Sequence, residues 1–138
     1  MMVLVDTPVW SLALRRRRPE HLSGSEQGLA NVLAELIREG RAQMVGPIRQ
    51  ELLSGIREEA QCKKIRECLR AFREPSLDAG DYENAARMSN QCRRRGIAGS
   101  PVEFLICAIA HRRGWGILST DRDLQNYASV LPLRLHST

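Results

Sequence analysis

The chain has 138 residues, enough for one domain that buries a real core, and its 43% hydrophobic and 27% charged content is that of an ordinary globular protein. No apolar run reaches the roughly 18–20 residues of a membrane span, and no basic segment precedes the first apolar run as in a secretion signal. The expected location is therefore the cytoplasm. The net charge of +5 rests on arginine, since Lys63 and Lys64 are the only lysines, and 4% aromatic content argues against a base-stacking platform. Arginine suits bidentate phosphate contact, so RNA is a plausible partner, held through its backbone; solvated arginine faces account equally well for the charge.

Val3-Leu4-Val5 is a short β-branched run of the kind that forms a strand buried on both faces in a parallel sheet. It stops at Asp6, and Thr7-Pro8 opens a helix expected over Pro8 to Leu14. The block Arg15-Arg16-Arg17-Arg18-Pro19 reads as a loop, either plainly solvated or facing phosphate. Ser23 to Gly40 carries apolar residues at helical spacing, with Ser25 as the expected cap and Gly40 just past the end.

Ala42 to Gly46 is a second strand candidate, and Pro47 opens a helix with Ile48, Leu52 and Ile56 on one face and Glu51 at its edge. Glu59 to Phe72 continues helically until Glu74-Pro75-Ser76. A long polar helix spans Asp78 to Arg95, with Ala85, Ala86 and Met88 facing inward. The most apolar helix, FLICAIAHRRG, follows Ser100-Pro101-Val102-Glu103. Trp115 to Ser119 is a strand, followed by Thr120-Asp121-Arg122-Asp123 and a short helix to about Ala128, and Val130 to Leu135 alternates as an edge strand that tolerates Pro132. Four cysteines, at 62, 68, 92 and 107, have no zinc-like spacing and read as reduced, mostly buried thiols.

Strands alternating with helices define an α/β fold with a mainly parallel sheet of about four to five strands, in one domain over 1–138. In such a sheet, strand ends and the following helix starts meet at one edge. Asp6, Glu51, Glu103, Asp121 and Asp123 all fall at such places. Several carboxylates gathered there repel unless they share protons or bind a hard cation, and Mg²⁺ or Mn²⁺ fits an all-oxygen site. Such an ion can generate hydroxide and neutralise a phosphodiester transition state. Each acid also has a plainer reading. Asp6 can cap the next helix, Glu51 can be a surface acid, Asp121 and Asp123 can form a turn, and Ser100-x-x-Glu103 is a capping-box pattern.

The order of these motifs resembles the PIN-domain ribonucleases, and within them the VapC-type toxins of toxin–antitoxin pairs. VLVDTPVW is similar to the opening strand of that family, IRQELLSG to its second acidic segment, and GSPVEFLICAIAHRRGWGILSTDRDLQNYA to its third and fourth motifs. The resemblance implies a PIN-like three-layer fold and a Mg²⁺- or Mn²⁺-dependent endoribonuclease. It places Asp6, Glu51, Glu103 and Asp121 at the four metal-binding acids, Asp123 at an accessory acid, and Ser119 where a hydroxyl stands near the metal. It also implies a homodimer and an antitoxin whose tail enters the acidic groove. Arg15, Arg16, Arg17, Arg18 and Arg49 are candidates for guiding RNA phosphates. Glu103 departs from the usual Asp, so a catalytically weakened scaffold that binds RNA or antitoxin is the alternative. Leu124 replaces the usual Phe.

Overall fold

The computed structural model describes residues 1–15 and 22–137. Their elements run β1 (Val3–Val5), α1 (Thr7–Arg15), α2 (Gly24–Arg38), β2 (Ala42–Gln43), α3 (Gly46–Leu53), α4 (Glu59–Leu69), α5 (Ala79–Arg94), α6 (Pro101–Arg113), β3 (Gly116–Leu118) and α7 (Asp123–Ala128). This is an α/β arrangement whose helices surround a parallel sheet in the order β2-β1-β3.

β1 is central because every one of its side chains is apolar and each finds cover, all three being fully buried. Val3 pairs with Ala42 on one side and Gly116 on the other, and Val5 pairs with Leu118. The ladder extends one residue further, where Asp6 N–H donates to the Leu118 carbonyl at 2.9 Å. All three strands therefore run out at one edge.

The sheet has three strands among the described residues, where four to five were expected. The missing strand is the 130–135 segment. Pro132 has no N–H to give a ladder, and Leu133 N–H turns back to the Leu131 carbonyl at 2.8 Å. Contact with β3 shrinks to a single parallel bridge, Ile117 with Leu135. The expected strand at 42–46 is also shorter, because Met44 and Val45 are buried as the chain turns into α3, which has Pro47 in its first turn.

α6 is buried from Phe104 through Ala110 without a break, as a helix apolar on all sides must be. It packs on the sheet and along α5. Its start is held by the capping box of Ser100 and Glu103, and its end by Gly114 at φ +70°, a left-handed turn that glycine adopts freely. α5 starts with a second box, Asp78 with Asp81, and Arg112 and Arg113 at the far end of α6 reach both acids. Asp81, not Ala86, completes the inward face of α5 with Ala85 and Met88.

The remaining differences from the sequence reading are local. Ser23, not Ser25, caps α2, since its hydroxyl accepts from Glu26 N–H and Glu26 returns a bond to the Ser23 N–H. Of the four free cysteines only Cys92 and Cys107 are buried; Cys68 is exposed because Ile65 and Leu69 take the inward face of α4.

Candidate functional site

Because β1 ends at Val5, Asp6 is fixed at the sheet edge by two neighbours. Its backbone carbonyl starts α1, accepting from Val9 and Trp10 N–H, while the Trp10 indole donates to the Val5 carbonyl at 2.9 Å. Its carboxylate accepts from Thr7 N–H at 2.8 Å through Oδ1 and from the Ser119 hydroxyl at 2.7 Å through Oδ2.

From there, two chains of contact run outward. The Thr7 hydroxyl donates to Glu51 Oε1 at 2.8 Å, which ties α3 to the start of α1. Ser119 Oγ accepts the Asp121 N–H at 3.0 Å, and Asp121 Oδ1 in turn accepts the Asp123 N–H at 2.9 Å. Asp6, Glu51, Asp121 and Asp123 thus belong to one connected edge, supplied by the segments that follow β1, β2 and β3. One carboxylate oxygen from each of Glu103, Asp121 and Asp123 lies within 4.8 Å of the others. Asp6 and Glu51 flank that triad without joining it.

Glu103 divides its carboxylate. Oε1 accepts from Ser100 N–H at 3.3 Å, completing the helix cap, while Oε2 is buried with no hydrogen-bond partner among the described residues. The capping and ligand readings of Glu103 therefore concern different oxygens and are compatible.

The electrostatics follow from burial first and from crowding second. Burial, with the nearby Glu51 and Asp121 charges adding to it, raises the Asp6 pKa above the ordinary carboxylate value, against the bonds from Ser119 and Thr7. Glu103 is raised in the same way, by burial first and then by Asp121. Cys107 lies beneath them on α6, and burial pushes its thiol up to about 12, leaving it an inert apolar filler.

Open clefts of about 390 Å³ adjoin both ends of this edge. One is lined by Thr7, Gln50, Glu51 and Val102, the other by Ser119, Asp121, Gln125 and His136.

The arginines fare differently. Arg49 is already engaged, with its guanidinium paired to Glu74 and donating to the Phe72 carbonyl at 3.0 Å. This pins α3 to the turn after α4. Arg16, Arg17, Arg18 and the Arg15 side chain lie outside the described residues. The sequence reading passed over Thr7 as a link in the site and Tyr127 as a neighbour of Glu103; a hydroxyl beside a strand-end acid was the available signal for Thr7.

No known family's sequence pattern matches the chain, and no curated protein matches it. Solved structures do. FitAcB from Neisseria gonorrhoeae is 18% identical over 99% of this chain and 97% of that one, with a TM-score of 0.75. VapBC2 from Rickettsia felis, bound to a DNA fragment from their promoter, is 14% identical over 99% and 98%, with a TM-score of 0.73. VapBC-1 from nontypeable Haemophilus influenzae is 12% identical over 99% and 98%, with a TM-score of 0.69. The chain shares the fold found in these complexes over nearly its whole length. No helix among the described residues is long and apolar enough to cross a membrane.

Proposed function

We propose that this chain is the toxin of a toxin–antitoxin pair, a PIN-like domain spanning 1–138 that hydrolyses RNA phosphodiester bonds with the help of Mg²⁺ or Mn²⁺. The observation that carries the proposal is the run Glu51–Thr7–Asp6–Ser119–Asp121, which links acids from three separate segments at one sheet edge. Carboxylates gathered at one edge, with the Asp6 and Glu103 pKa values raised and one Glu103 oxygen buried without a partner, are a donor set suited to a hard cation. Asp6, Glu51, Glu103 and Asp121 would hold the ion, with Asp123 accessory. A divalent cation there would lower the pKa of a bound water toward neutrality and offset negative charge building on the phosphate.

The protein's own groups do the rest. Ser119 and Thr7 keep Asp6 and Glu51 oriented by donating to them, and the two clefts leave a path for a strand on each side. The fold shared with VapBC and FitAcB structures supports an antitoxin partner, and the motif resemblance supports a homodimer.

The test is incubation of purified protein with structured RNA and Mn²⁺, beside EDTA and Asp6→Asn controls. Cleavage abolished in both controls is the expected result; RNA that stays intact under every metal defeats the nuclease reading. The scaffold alternative has one observation in its favour, since Glu103 Oε1 is taken up by the Ser100 N–H. RNA or antitoxin binding without cleavage is its signature.

A further inference from the structure

Tyr127 lies on α7 with its side chain wholly buried, and its hydroxyl has no hydrogen-bond partner among the described residues. A buried phenol without a partner is costly, and native proteins rarely leave one. The ring stacks at a tilt on Phe104, 4.7 Å between centroids, which brings it to the start of α6 one residue from Glu103. The other orphaned buried oxygen is Glu103 Oε2. Burial first, and after it the neighbouring Glu103 charge, raises the phenol pKa.

Gly99 supplies an independent observation. A Cβ built on it would stand 2.1 Å from the Tyr127 hydroxyl oxygen and 2.9 Å from the Phe104 ring. The hydroxyl thus occupies the space that any larger residue at position 99 would claim, directly before the Ser100 cap that holds the other Glu103 oxygen.

We propose that Tyr127 is a positioning residue for Glu103, its hydroxyl donating to Oε2 and so aiming that longer acid at Asp121 and Asp123. The proposal rests on the metal-site reading above, and goes beyond it by assigning a supporting role to a residue outside the acidic set. Oε1 is fixed by Ser100 and Oε2 by Tyr127. The extra methylene of glutamate is taken up between two anchors, with one Glu103 carboxylate oxygen within 4.8 Å of oxygens of Asp121 and Asp123. Outer partners of this kind fix ligand orientation, and losing one typically lowers metal affinity about 10-fold or more.

Two measurements decide it. The first is melting of the metal-free parent, Tyr127→Phe, Glu103→Gln and the double variant. Non-additive shifts are expected, and strict additivity overturns the bond. The second is calorimetric Mn²⁺ titration of the same four proteins. Tyr127→Phe should weaken binding about 10-fold in the parent and have no further effect beside Glu103→Gln. Unchanged affinity in Tyr127→Phe, with the parent binding normally, overturns the positioning role alone. A parent that binds no Mn²⁺ overturns the metal reading itself and the tyrosine's role with it. Gly99→Ala serves as a second route to the same end, since it displaces the hydroxyl without removing it. It should reproduce the Mn²⁺ defect, and normal affinity in a folded Gly99→Ala protein counts against the proposal.

Discussion

The Ser119 hydroxyl donates to Asp6 Oδ2 at 2.7 Å and at the same time accepts the Asp121 N–H at 3.0 Å, so one side chain joins the ends of β1 and β3. These residues are 113 positions apart in the chain. Removing the hydroxyl should loosen both acids at once. Ser119→Ala is expected to fold, to melt slightly lower for the loss of about 1–2 kcal/mol of hydrogen bonding, and to bind Mn²⁺ about 10-fold more weakly. Ser119→Thr keeps the hydroxyl and should restore affinity. Equal Mn²⁺ affinity across all three proteins in calorimetry would show that Ser119 is only a turn residue.

Asp6 carries a pKa raised chiefly by burial, so its ionised form opposes folding. A raised acid gives its full contribution below the ordinary value of 3.8 and loses it as pH climbs through the raised folded value. Asp6→Asn removes that cost. Without metal, the variant should melt a few degrees above the parent at pH 7, with the gain fading toward pH 4. Mn²⁺ should raise the melting temperature of the parent and leave the variant unmoved, as expected for a ligand that binds only the native site. A variant that melts well below the parent at pH 7 would mark Asp6 as structural.

Asp81 has the opposite sign. It is fully buried, accepts from Arg113 at 2.9 Å, and is held at about 2 by that guanidinium, below the ordinary 3.8. The stabilisation is complete above the unfolded value and is lost as pH falls from about 4 toward 2. Asp81→Asn leaves Arg113 without its counter-charge, for which a cost of about 3 kcal/mol is expected at pH 7. Melting curves from pH 7 down to pH 3 should show the parent and variant converging at the acid end. A gap that stays constant with pH would mean that the pair contributes by packing, not by charge.

Much of the architecture was readable because local chemistry and tertiary demand agree. Val3 to Val5 is too apolar and β-branched to lie anywhere but inside, Ser100 and Glu103 form a cap from a four-residue pattern, and Gly114 ends α6 because glycine tolerates a positive φ. The strand count failed where local alternation and sheet chemistry conflict. Val130 to Leu135 has the period of a strand, yet Pro132 and the turn at Leu133 leave it one bridge to β3. The Arg49–Glu74 pair was not legible for another reason, since the partners lie 25 residues apart and no local pattern announces them.

Sequence alone determined which residue types stand at the strand ends and helix starts, because hydrophobic period, capping patterns and prolines act over a few residues. It thereby named Asp6, Glu51, Glu103, Asp121 and Asp123 as acids worth explaining. Only the tertiary structure decided how they meet: Thr7 and Ser119 as links, Glu103 split between a cap and an unpartnered oxygen, and Tyr127 packed against Gly99 beside it. Those relations depend on parallel pairing of β1 with β2 and β3 and on the packing of α6 and α7. Both are contacts between distant parts of the chain, made by burying surface whose partners no short stretch of sequence specifies.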